Sequence, residues 1–226
     1  MNTSKTMIVA IALSLFYLGE TCSSNAAVSK SQGDANKLSA LHFIWPVLKS
    51  SGAAARVYYS ASCQKDDDYP IPFPRLSVQP PKDARALHGI EHIFRKDSSV
   101  TLAEKKSGVF DIVIGKVPDE LLRTRITKLT LTLASQYDPY TAIRAIETTP
   151  EFHSAVTKLK LERVTQVTNM PVRMPAPGLQ HLPSSIENVT VDEALDSVAK
   201  TFQVVVLYGY CEPPSTFQIS IVGQSS

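Results

Sequence analysis

His88-Gly89-Ile90-Glu91-His92 is the run in this chain whose residue types and spacing come nearest to catalytic chemistry. Histidines four positions apart on a helix share one face and can hold a zinc ion, with the neighbouring glutamate as general base; the order H-x-x-E-H is one arrangement of that kind. Against it, the buried stripe of the same segment (Leu87, Ile90, Phe94) points elsewhere. Gly89 costs about 1 kcal/mol in a helix interior, and no third ligand is identifiable by spacing. The expectation is a solvated helix face, with a small zinc-dependent hydrolase built on His88, Glu91 and His92 as the alternative. Asp66-Asp67-Asp68 lacks the alternating oxygen ligands and the glycine of a calcium loop, so it reads as a solvated loop. His42, His153 and His181 stand apart from any nucleophile. There is no G-x-S-x-G and no glycine-rich phosphate loop. No cofactor or metal is expected, and the enzyme reading takes second place.

The amino terminus has the layout of a secretory signal. Lys5 precedes the apolar run Met7–Leu18, and Ser24-Asn25-Ala26 supplies a small-residue cleavage site, giving a signal peptide over 1–26. The run rises about 18 Å as a helix, short of the roughly 30 Å of a bilayer core. Gly19-Glu20-Thr21 before Cys22 is a poor lipoprotein cleavage site. The mature chain is therefore expected to be exported, periplasmic or secreted, without a membrane span. A net charge of +2 gives no electrostatic signature of a nucleic-acid binder. Removing the leader leaves Cys63 and Cys211, each closing an apolar, tyrosine-bearing stretch, 55–63 and 204–211. If those are neighbouring strands, their ends can form a disulfide in an oxidising compartment. Tyr58, Tyr59, Tyr208 and Tyr210 form a candidate interaction patch, because tyrosine buries area while keeping its hydroxyl wet.

The elements that must position these groups follow from pattern. Leu38–Leu48 has helical spacing until Pro46, and 55–60 reads as a strand. A short strand at Leu76 and Val78 leads into a helix from Asp83 to Phe94, followed by strands at 100–103 and 109–114 and a short helix opened by Pro118. Leu129, Leu131 and Leu133 alternate with polar residues, predicting a half-buried strand over 126–133. Asp138-Pro139 and Thr149-Pro150 start helices over 139–148 and 150–158, and a strand is expected at 159–164. Pro171, Pro175, Pro177, Gly178 and Pro183 mark 168–185 as a linker.

Two stretches align without a gap. Val78 to Phe94 lies over Ile186 to Phe202, and Phe110-x-Ile112-x-Ile114 then matches Phe217-x-Ile219-x-Ile221. The alignment sets His88, Glu91 and His92 opposite Asp196, Ala199 and Lys200, and the charge at 196 and 200 supports a solvent-facing position. The architecture expected is α+β: two related strand-helix-strand-strand units forming a two-layer α/β sandwich, with a helical insert. The division is 27–167, the linker 168–185, and 186–226.

Ile186 to Phe202 followed by Val204–Leu207 resembles the secretin and TonB short N-terminal domain over about 186–223, and more weakly over 76–115. In that family a strand leads into a capped helix with glutamate, alanine and leucine in its first turns, then into a valine-rich strand. The resemblance implies a two-layer α/β module used for protein–protein contact in the bacterial periplasm. The expected function is an exported, non-catalytic interaction module of a bacterial cell envelope, binding another envelope or extracellular protein and no nucleic acid.

Overall fold

The computed structural model describes residues 38–39, 48, 53–61, 75–76, 100–104, 108–164, 178–212 and 215–222. The fold is mixed α+β, a six-stranded sheet carrying helices in a two-layer arrangement. Its strands are β1 (Leu38–Ser39), β2 (Ala55–Ala61), β3 (Arg75–Leu76), β4 (Val100–Glu104), β5 (Phe110–Ile114), β6 (Arg125–Thr130), β7 (Glu162–Arg163), β8 (Ser185–Thr190), β9 (Val205–Cys211) and β10 (Thr216–Val222). The helices are α1 (Leu133–Tyr137), α2 (Pro139–Glu147), α3 (Pro150–Lys158) and α4 (Val191–Phe202). The large sheet runs β4-β5-β2-β9-β10-β7, while β1 pairs with β3 and β6 with β8 as separate ribbons.

Helix starts are encoded locally. Asp138 accepts from the Thr141 amide with Pro139 at the first helical position, and Thr149 accepts from Phe152 ahead of Pro150. α4 begins on a reciprocal capping box, Thr190 Oγ1 taking the Glu193 amide at 3.1 Å while Glu193 Oε2 takes the Thr190 amide at 2.7 Å. The next free amides, Val191 and Asp192, donate to the Thr124 and Leu122 carbonyls, fastening the helix to the preceding turn. α4 ends where Gln203 turns left-handed at φ 50°.

The sheet consists of two three-strand runs with one connectivity. In β4-β5-β2 and in β9-β10-β7, the strand earliest in sequence lies parallel to the second strand of an antiparallel hairpin. The runs join through parallel pairing of β2 with β9. Strand registers put Phe110, Ile112 and Ile114 on one face with Val57 and Tyr59. Phe217, Ile219 and Ile221 share the opposite face with Tyr210, Tyr208 and Val206. The two aligned triplets thus serve opposite sides of a single sheet. On the Tyr208 side, Ala194, Leu195, Val198 and Phe202 of α4 join Ile143 and Ile146 of α2 in the larger core, and Leu48, Val57, Ile112, Val205 and Leu207 pack on the other.

Several local expectations are corrected. Leu38–Ser39, expected at the start of a helix, are strand. The segment after Pro118 forms turns rather than a helix. β6 stops at Thr130 because Thr132 caps α1, so Leu133 is 62 % exposed instead of inward-facing. The strand expected over 159–164 shrinks to two residues, since Lys160 takes a positive φ of 53°. The expected helix 83–94 lies outside the described residues.

Candidate functional site

Arg56 sits in the middle of the sheet with 1 % of its surface exposed. Alternation on β2 points it to the same face as Tyr58, beneath the first two turns of α4. Asp192 and Asp196, four apart on that helix, bracket it. Nη1 donates to the Asp192 carbonyl at 2.7 Å and to Asp196 Oδ1 at 2.9 Å, and stands 2.9 Å from Asp192 Oδ1. The Tyr58 hydroxyl completes the arrangement, donating to Asp192 Oδ1 at 2.7 Å. The guanidinium carbon lies 4.6 Å from the Tyr58 ring centre, a cation–π contact. Asp111 is the register neighbour of Arg56 on β5.

Electrostatics bind these groups to one another. Burial alone lowers the pKa of the Arg56 guanidinium, but Tyr58, Asp192 and Asp196 outweigh it and the net direction is upward. Desolvation raises the Tyr58 hydroxyl far above its ordinary value, Arg56 partly offsetting this while Asp192 and Asp111 add to the rise. An arginine that stays charged and a tyrosine that stays protonated cannot exchange protons near neutrality. The cluster's chemistry is positional: it fixes where α4 sits on β2.

A second feature lies at the sheet margin. β4 is the terminal strand on one side, has no further strand pairing among the described residues, and exposes Thr101 and Ala103. The opposite margin ends in two-residue β7, where Arg163 Nε donates to Glu147 Oε1 at 2.8 Å and Nη2 pairs with Oε2 of the same carboxylate. Short, charged edge strands resist pairing with other chains; a longer edge without proline invites it.

The residues singled out from sequence fare unevenly. Tyr58, Tyr59, Tyr208 and Tyr210 are 6, 3, 1 and 8 % exposed, so they form no displayed patch. Side chains on both faces of the sheet are buried here, so alternation sends none of the four to solvent. Tyr208 stacks toward Phe217 at 6.4 Å within the larger core. Tyr59 lies over Gly209 on the other face, its hydroxyl pushed up to about 12 by desolvation. Cys211 is buried at the end of β9 opposite Ala61, while Cys63 lies outside the described residues. His88, Glu91, His92 and Asp66–Asp68 lie outside them as well. Asp196, whose charge was the ground for placing its aligned position 88 in solvent, is 8 % exposed, which removes that ground. Among the described residues no cluster of His, Cys, Asp or Glu could hold a metal ion, and no helix is long and apolar enough to cross a membrane.

Sequence reasoning missed Arg56. The available signal was a long cation on the inward parity of an otherwise apolar strand, together with aspartates four apart on the buried side of a helix. Comparison of the chain with family models, curated proteins and solved structures finds no match.

Proposed function

We propose that this chain is an exported, non-catalytic interaction module of a bacterial cell envelope that binds another envelope or extracellular protein by taking an extended segment onto its sheet edge. The observation that carries the reading is the asymmetry of the two margins: β7 is short and pinned to Glu147, whereas β4 offers five residues with Thr101 and Ala103 exposed. An edge strand supplies main-chain donors and acceptors for affinity and alternate side chains for selectivity. The Arg56 cluster serves this role by holding α4 on the sheet centre, so that the edge is presented by a fixed scaffold.

The resemblance of 186–223 to the secretin and TonB short N-terminal domain supports the same reading, as does the order β8, α4, β9, β10 in that segment. Export rests on the signal-like 1–26. With export goes a disulfide between Cys63 and Cys211, supported by the register that sets Ala61 beside Cys211 on neighbouring parallel strands. The repeated three-strand run supports an internal duplication.

The test is site-specific photo-crosslinking in the native host, with the photoreactive residue at Ala103 and, for comparison, at Lys158 on the exposed side of α3. A discrete adduct from Ala103 that is absent from Lys158, in protein recovered from the envelope fraction, is the expected result. Retention in the cytoplasm, or equal adducts from both positions, refutes the proposal.

A further inference from the structure

Among the described residues, the strand that closes the sheet beside β10 is held chiefly by one ion pair. β2 and β7 occupy equivalent places in the two three-strand runs. β2 pairs along five residues with β5 and along seven with β9. β7 pairs along two, Glu162 with Thr216 and Arg163 with Phe217. Both of its residues are exposed, so detaching it uncovers little apolar surface of its own. Its main-chain hold consists of the Glu162 amide donating to the Ser215 carbonyl and the Val164 amide to the Phe217 carbonyl, each at 2.9 Å.

The turn that leads into β7 is complete without it. α3 ends with Lys160 left-handed at φ 53°, the Lys160 amide donating to the Thr157 carbonyl and the Leu161 amide to the Val156 carbonyl. Those bonds close within the helix end, so β7 can leave β10 without disturbing α3. The fastening is Arg163. Its Nε donates to Glu147 Oε1 at 2.8 Å and its Nη2 pairs with Oε2, a two-point grip on a carboxylate whose side chain is 4 % accessible. The arginine is 36 % accessible and can turn to water, whereas the carboxylate stays buried in α2.

Burial and Arg163 act on Glu147 with opposite sign. Burial is the larger influence and favours the neutral acid, while Arg163, and Arg144 on the same helix, favour the ion. Of the other elements packed on α2, α1 and β10 carry no charged residue, and α4 commits Asp192 and Asp196 to Arg56 and Glu193 to its own cap. Lys200 of α4 is exposed, and the charged residues of α3 and β6 (Glu151, His153, Lys158, Arg125, Lys128) make no ion pair with Glu147 among the described residues. Linkage fixes the direction of the response. Because Arg163 holds the ion more strongly than the acid, a proton on Glu147 loosens Arg163 even as it relieves the cost of a buried charge.

We infer that β7 is an acid-released strap: protonating Glu147 loosens the hold of Arg163 and lets β7 leave β10, while the helices and the rest of the sheet stay in place. Release opens the margin that is closed at neutral pH and bares the Ser215 and Phe217 carbonyls along it. The strap is independent of what binds at β4, and the failure of either reading leaves the other standing.

Amide hydrogen exchange of the intact protein, read residue by residue by nuclear magnetic resonance at about pH 7 and about pH 4, tests this. The Glu147 carboxyl, raised above its ordinary 4.5, is mostly neutral at the lower value. Protection of the Glu162 and Val164 amides, corrected for intrinsic exchange and compared with amides inside α4, should fall about tenfold or more on acidification. Glu147→Gln keeps the shape without the charge and should show the low protection at both pH values. Arg163→Met should show it too, with Glu147 left in place. Equal wild-type protection at the two pH values overturns the inference, as does an acid-dependent loss that persists in Glu147→Gln. So does a Glu147→Gln chain as well protected as wild type at neutral pH, or a loss in α4 that matches the loss in β7, since that is global unfolding.

Discussion

Replacing Arg56 with methionine removes one charge and leaves two carboxylates beneath α4. Asp196 is the more exposed to this loss, because its side chain is only 10 % accessible and its Oδ1 faces the vacated Nη1 position at 2.9 Å. Asp192 keeps the Tyr58 hydroxyl and is 29 % accessible, so water relieves part of its burden. Breaking a buried ion pair from one side costs about 3–5 kcal/mol, because the surviving charge stays out of water without the opposite charge that offset its burial. With a urea dependence of about 2 kcal/mol per molar for a domain of this size, the unfolding midpoint should fall by about 1.5–2.5 M. Equilibrium urea unfolding followed by tyrosine fluorescence and far-ultraviolet dichroism measures it.

The companion variant decides what the cost means. Arg56→Met combined with Asp192→Leu and Asp196→Leu removes every charge of the triad, and buried ion pairs replaced by apolar groups of similar size are often neutral or stabilising by about 1–4 kcal/mol. The triple variant should therefore recover most of the loss. Tyr58 then lacks its acceptor, a penalty of about 1–3 kcal/mol that Tyr58→Phe should relieve. If Arg56→Met alone lowers stability by less than about 1 kcal/mol, the cluster is not a buried latch and the account of how α4 is held is wrong.

Gly209→Ala puts a methyl against the Tyr59 ring; overpacking of this kind costs about 1–3 kcal/mol, and Tyr59→Leu in the same chain should return part of it, which a double-mutant cycle measures. Burial raises the Glu147 carboxyl above its ordinary 4.5, with Arg163 and Arg144 pulling it back only in part. A raised pKa gives stability that is complete below the ordinary value and is lost as pH rises through the folded one, so the stability advantage of Glu147→Gln over wild type should grow between pH 4 and pH 7; a gap constant with pH contradicts this. For Cys63 and Cys211, mass spectrometry after alkylation should find no free thiol in exported protein and a gain of two protons on reduction. Reduction should lower stability by about 4 kcal/mol in the chain-entropy account, and two alkylated cysteines without reductant refute the bridge.

What was legible in the sequence is what local chemistry encodes. The Asp138-Pro139 and Thr149-Pro150 pairs set the starts of α2 and α3 because a capping oxygen and a proline at the first helical position act within a few residues. α4 was legible from the apolar stripe Ala194, Leu195, Val198, Ala199 and Phe202, whereas the reciprocal Thr190–Glu193 box that fixes its first turn is a finding of the structure. Alternation misled at Leu133, where the period of two continues in the sequence after the backbone has turned into α1. The tyrosine patch failed for a different reason: tyrosine's chemistry suits an interface, but residue type does not state whether either side of the strand is left open, and all four are buried.

The Arg56 cluster shows why the remainder was hidden. Arg56 and Asp196 are 140 positions apart, and each looks ordinary alone: a cation in a strand, an anion on a helix. Charge predicts exposure only because a lone ion is costly to bury, so the rule fails wherever opposite charges meet across the fold. The strand parity of Arg56 and the four-residue spacing of Asp192 and Asp196 were readable, but the sheet order that sets β2 under α4 was not. Adjacency of β2 and β9 places the two halves of the chain in one sheet, and it is a pairing between strands far apart in sequence that no local signal announces.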